Sequence, residues 1–315
     1  MRYQLPYFDE FLQSLKVNNY SEETYYNYER DLKVFENFLN IAKIPFSKCD
    51  KLTINDYKAY LNSIDRETAI NKKAEKKLSS RSINRMLSAL KTYLKYLIEI
   101  DYQSPLLPEY IKPIKTEKKH PQVAELADLI KLIEAPMTIE KNKFVALRNR
   151  TALEVLFSTG MRISELIKLK LDQIDESGRI FIMGKGRKER FVYLTPRAKS
   201  FVDEYLKIRG SCPSEYLFIA KRGRNAHIKN QHLSANYLQA KIKFYRQILR
   251  INVPTSAHSL RHGFATYLAE KGANPAAIQI LLGHESLDTT TRYVHASDKY
   301  AEETLRKYHP LKNRD

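Results

Sequence analysis

Cysteine is nearly absent from this chain. Cys49 and Cys212 are the only thiols among 315 residues, and neither has a Cys partner at metal-ligand spacing. A disulfide framework and a zinc ribbon are therefore excluded, and the pair reads as inert thiols in a reducing compartment. No apolar run is long enough to span a bilayer, and residues 1–20 lack the basic, apolar, small-residue order of a secretory signal. A cytoplasmic protein without membrane insertion is expected. Also missing are an internal repeat, a glycine-rich nucleotide loop and any low-complexity tract. Hydrophobic residues nonetheless make up 43% of the chain, enough for packed cores, and its length suits two domains.

Acid is the other scarcity. Lys and Arg number 54 against 36 Asp and Glu, a net charge of +18, which points to a polyanionic partner. The excess is uneven: residues 1–64 hold 8 basic and 9 acidic residues, whereas residues 65–95 hold 9 basic against 3 acidic. Residues 216–269 contain no acid at all. Basic surface gathered in this way neutralises phosphates and gives salt-sensitive, sequence-independent affinity for nucleic acid.

Periodicity divides the chain into a mainly α architecture with a small β-sheet. Helices are expected over residues 6–15, over 21–40 with Ser21 as cap, from a Thr53 cap through Leu61, and over 80–100. On the last of these, Ile83, Leu87, Leu90 and Leu94 face inward, leaving Arg81, Arg85, Lys91 and Lys95 outside. Residues 65–78 form a polar insert, readable as a solvated loop or as a DNA contact. Residues 105–122, interrupted by four prolines, read as an interdomain linker between a first domain (1–104) and a second (123–315). The second domain opens with helices at 123–134 and 143–158, followed by one capped by Ser164. Residues 179–183 and 190–194 alternate around GKGRKE as a β-hairpin. Helices follow at 196–208, 234–249, 259–271, 275–282, 288–293 and 297–308, with a strand at 215–219.

The stretch AHSLRHGFATYLAEKGANPAAIQILLGHESLDTTTRYVH, residues 257–295, concentrates the chemistry. His258, Arg261, His284 and Tyr293 supply two imidazoles, a guanidinium and a phenol, a set suited to attack on a phosphodiester. Guanidinium stays charged and presents a planar fork to phosphate oxygens, whereas a phenol near pKa 10 needs a cationic field and a base to become a nucleophile.

Four boxes in order, TGMRISEL, GKGRKER, HSLRH and LLGHESLDTTTRY, resemble those of the tyrosine recombinase and phage integrase family, most closely its Xer branch. The resemblance covers the whole chain, since the four-helix first domain is similar to the SAM-like core-binding domain of that group. It implies that Arg162 and Arg261 bind the non-bridging oxygens of the scissile phosphate and that Tyr293 forms a 3′-phosphotyrosyl link to DNA. Lys185 would protonate the departing 5′ oxygen, with Lys188 a competing candidate. His258 would act as base or hydrogen-bond donor, and His284 would contact the phosphate. DNA binding is expected of Arg81, Arg85, Lys91, Lys95, Lys188, Lys221, Arg222, Arg224, Lys241 and Lys243. No cofactor and no metal is implied.

The same resemblance implies an enzyme that clamps duplex DNA between its domains and assembles as a tetramer on paired recombination half-sites. Strand exchange would pass through a Holliday junction to resolve chromosome or plasmid dimers, serving chromosome partition at cell division. A second recombinase and a septal DNA translocase are candidate partners. The expected tail helix, residues 297–308, would dock on a neighbouring protomer or fold back on its own domain. Rival readings are a mobile-element integrase, a type IB topoisomerase and a non-catalytic DNA-binding module.

Overall fold

The computed structural model describes residues 3–64, 66–68, 77–117, 124–183, 189–221, 226, 231–283 and 297–311, with backbone alone for 297–301. The chain divides into two compact units, Met1–His120 and Pro121–Asp315. The described residues form twelve α-helices, short 3-10 turns and one two-stranded sheet, so the mainly α expectation holds.

The first unit is built on four helices: α1 (Phe8–Val17), α2 (Glu22–Ala42), α3 (Lys51–Asn62) and α4 (Ser80–Glu99). Ser21 caps α2 as expected, its hydroxyl accepting from the Thr24 N–H. The cap of α3 is Asp50 rather than Thr53. Its carboxylate accepts from Thr53 N at 2.8 Å while Thr53 Oγ1 accepts from Asp50 N, a reciprocal box that the acidic side chain nucleates better. Phe11, Phe35, Tyr57 and Tyr93 fill the core with the apolar face of α4. The proline-rich segment after α4 is not free of this unit. Leu106 and Ile111 are buried in the same core, and the Asn84 side chain bonds both the N–H and the carbonyl of Ile114.

In the second unit α5 (Leu126–Ile139), α6 (Lys143–Thr159) and α7 (Ile163–Ile167) precede a hairpin of β1 (Arg179–Met183) and β2 (Glu189–Tyr193). The strands pair antiparallel, with Ile180 opposite Val192 and Ile182 opposite Arg190 on the buried face. Then come α8 (Pro196–Arg209), α9 (Ala235–Ile248), α10 (Ala257–Glu270), α11 (Pro275–Leu282) and α12 (Ser297–Tyr308). The strand expected at 215–219 is not formed: Tyr216 makes an isolated bridge to Lys170, and the next residues enter the core as irregular chain. The helix expected at 288–293 lies outside the described residues.

The core of this unit runs through Leu153, Phe157, Leu260 and Phe264. Glu154, at 1% exposure, is held by Arg150 and Arg197, tying α6 to α8, while Glu134 of α5 meets the same arginines. The tail folds back on its own unit. Leu305 is buried in the core, and the His309 ring sits 5.4 Å from Phe157 and 5.9 Å from Phe264.

Candidate active site

Helix α6 ends at Gly160, whose φ of 63° lies in the left-handed region that glycine adopts without steric cost. Space demands glycine as well, because a Cβ there would stand 2.6 Å from Phe264 Cδ1 and 3.1 Å from Leu282 Cδ2. The C-terminal ends of α6 and α11 therefore meet α10 at this one residue. From it the chain passes through buried Met161 to Arg162, which occupies the N-cap position of α7 that the sequence had suggested for Ser164. Glu165 folds back onto it, Oε2 accepting from the Arg162 N–H at 2.7 Å and Oε1 from Nη1 at 3.1 Å. The Arg162 side chain remains 41% exposed.

Arg261, in contrast, is 5% exposed. Its Nη1 donates to the Gly160 carbonyl at 2.8 Å and its Nη2 to the Leu282 carbonyl at 2.6 Å. A guanidinium carries five N–H donors, so donors remain for an anion. Burial, followed by the like charges of Arg162 and Arg190, presses its pKa down to about 10, with Glu165 opposing. The group still carries its proton at neutral pH. His258 stands one turn before Arg261, exposed on the first turn of α10. That helix starts at Ala257, earlier than the expected 259, because Ser256 caps it: Ser256 Oγ accepts from Ser259 N at 3.3 Å. Lys185, His284 and Tyr293 lie outside the described residues.

Two members of this cluster escaped sequence reasoning. Arg190 faces inward from β2, its Nη1 and Nη2 donating to Glu165 Oε1 and Oε2 at 3.1 and 2.7 Å, and its Nε to the Leu281 carbonyl at 3.1 Å. Glu165 is thus gripped from both sides. Burial pushes its carboxyl up, but hydrogen bonds from Arg190 and the Arg162 N–H, with the arginine charges, outweigh that and hold it below the usual carboxylate range. The available signals were a charged residue at an inward position of an alternating strand, and an acid three residues after Arg162.

Among the described residues, the expected DNA-binding side chains fall into two groups. Arg81, Lys95, Lys221 and Lys243 are exposed, and Lys91 is half-buried. Arg85 does not point freely outward as expected: it is ion-paired to buried Asp31, which needs a compensating cation. Lys241 bonds Glu140 at 2.7 Å. Lys188, Arg222 and Arg224 lie outside the described residues. A cleft of about 1060 Å³, lined by Phe144, Arg148, Lys221, Tyr237 and Lys241, includes none of the arginines of the cluster around Glu165.

Comparison with known proteins matches residues 125–300 to the family described as "Phage integrase family" and residues 8–100 to "Phage integrase, N-terminal SAM-like domain". Tyrosine recombinase XerD of Staphylococcus haemolyticus is 30% identical over 96% of this chain and 98% of its own. Tyrosine recombinase XerC of Leptospira interrogans is 32% identical over 96% and 92%. Among solved structures, the XerH site-specific recombinase bound to its difH substrate superposes with a TM-score of 0.66 at 25% identity, covering 93% of this chain and 82% of that one.

Proposed function

The chain belongs to the phage integrase family, whose tyrosine recombinases cleave and rejoin DNA, and on that premise we propose that it is a site-specific recombinase of the Xer type, acting in the cytoplasm. Residues 1–104 act as the core-binding domain, 105–122 as a linker whose first half packs on that domain, and 123–315 as the catalytic domain. Tyr293 attacks the scissile phosphate and becomes joined to the 3′ end, while Lys185 protonates the departing 5′ oxygen, which leaves as a 5′ hydroxyl. Arg162 and Arg261 hold the non-bridging oxygens as charge builds on them, the contribution that donors fixed in advance make best. His258 and His284 assist proton movement and phosphate contact. Phosphodiester energy is conserved in the tyrosyl link, so rejoining is the same step reversed. Four protomers on paired half-sites, passing through a Holliday junction, resolve chromosome or plasmid dimers, with a second recombinase and a DNA translocase as candidate partners.

The observation that carries this reading is the joining of the Arg162 and Arg261 segments at Gly160, where Gly160 and Arg261, 101 residues apart in sequence, meet in one cationic cluster. The similarity to proteins named XerC and XerD, and to XerH with its difH substrate, supports the narrower assignment. Covalent trapping tests it. The protein is incubated with nicked genomic fragments and denatured, beside a Tyr293→Phe control. Attachment by the wild type alone is expected, and the trapped sequence distinguishes a chromosomal site from a mobile-element end. Equal attachment by both proteins, or by neither, would overturn the assignment.

A further inference from the structure

We infer that Arg190 is a positioning residue for DNA cleavage, an inference that rests on the recombinase reading above. All three guanidinium nitrogens are committed within the protein, two to Glu165 and one to Leu281, and the side chain is buried. It differs from Arg261 in that one carboxylate, rather than two carbonyls, takes both of its Nη groups, so its charge is already neutralised within the protein. What it controls is Glu165. That carboxylate is largely enclosed, at 10% exposure, and it touches Arg162 through a backbone N–H and a single Nη1 bond. Arg190 takes up the remaining capacity of both oxygens as a planar fork. Without it Glu165 satisfies its charge by closing on Arg162 instead, drawing that guanidinium away from solvent and cancelling its charge where a phosphate would need it.

The Leu281 bond adds a second hold. Arg190 clasps the last turn of α11, while Gly283, at φ 63°, lies so close that a Cβ would stand 3.0 Å from Arg190 Cδ. Gly283 immediately precedes His284 in the sequence. One side chain on β2 thus braces the Arg162 box and the approach to the His284 box together, and an apolar residue of similar size would brace neither.

The test uses the full chain and the duplex recovered by covalent trapping, nicked beside the attachment point. Single-turnover attachment rates at saturating protein, DNA Kd and thermal melting are measured for wild type, Arg190→Lys and Arg190→Ala. Arg190→Ala is expected to slow attachment about 100-fold, the scale of a misplaced catalytic group, with Kd changed less than about 3-fold. Added guanidinium ion at concentrations far below denaturing restores part of the rate, and Arg190→Lys falls between. Should Arg190→Ala not fold, Arg190→Lys carries the test, because it keeps the charge and loses the fork. Wild-type rates in the variants, or a loss that tracks melting temperature with no rescue by guanidinium, overturn the inference. A wild type that attaches to no DNA overturns the recombinase reading instead.

Discussion

Arg261 donates from Nη1 to the carbonyl oxygen of Gly160 across 2.8 Å, and this bond ties the end of one helix to the middle of another. Only a residue without a Cβ allows the approach, since Phe264, one turn beyond Arg261 on α10, already fills the space above Gly160. The close packing and the site geometry are therefore one arrangement.

Gly160→Ala follows directly from it. A left-handed alanine costs about 1 kcal/mol, and forcing a methyl against Phe264 adds about 1–3 kcal/mol. Denaturant unfolding should show a loss of about 2–4 kcal/mol from these two sources, with weakened DNA cleavage in the fraction that stays folded. A variant as stable and as active as the wild type would show that α10 shifts freely and that the bond has no structural role.

The two arginines should respond differently to truncation. Arg162 is partly exposed, and Arg162→Ala should leave thermal stability nearly unchanged while lowering cleavage by about 10²–10³-fold. Arg261→Ala should lower both, because it strands the carbonyls of Gly160 and Leu282 in a buried setting. Melting curves and trapping assays run side by side separate the two. Equal stability losses would contradict the burial difference.

His309 predicts a pH dependence. Burial first, with a smaller contribution from the Arg197 charge, lowers its pKa from 6.5 to about 4, while the bond to the Phe157 carbonyl opposes. Its Nδ1 accepts from the Leu311 N–H, so Nε2 donates to the Phe157 carbonyl at 3.1 Å. Because the unfolded chain takes up the proton first, stability should fall as pH drops from about 6.5 towards 4. The full effect is on the order of 3 kcal/mol. Unfolding at pH 7.5 and pH 5 should reveal it, and His309→Gln should flatten the slope over that window. A slope unchanged by the substitution would assign the effect to other groups.

Salt should reveal the acid-free stretch. Affinity for random duplex should fall by orders of magnitude between about 50 and 200 mM salt. Lys243 is exposed, whereas Lys241 is held at 2.7 Å by Glu140. Lys243→Gln should therefore reduce the slope of log affinity against log salt more than Lys241→Gln does. Titrations at several ionic strengths decide this, and a flat response in the wild type would remove phosphate contact as the source of affinity.

Local signals settled much of this protein by themselves. The 3.6-residue repeat of α4, the hydroxyl of Ser21, the alternation around GKGRKE and the glycine after α6 each specify their element through forces acting within a few residues. The boxes holding Arg162 and Arg261 are legible as strings that resemble those of a known family, because each is a short run of residues along one chain. What tertiary structure alone decided is how charges are partnered. Arg85 and Lys241 look like free surface cations in the sequence, yet each meets an acid more than fifty residues away, Asp31 or Glu140. Arg190 looks like one more basic residue in a basic turn until burial leaves it Glu165 and the Leu281 carbonyl as partners. Burial and partner choice depend on which distant segments a fold brings within a few ångströms, and no pattern within a short window encodes that distance.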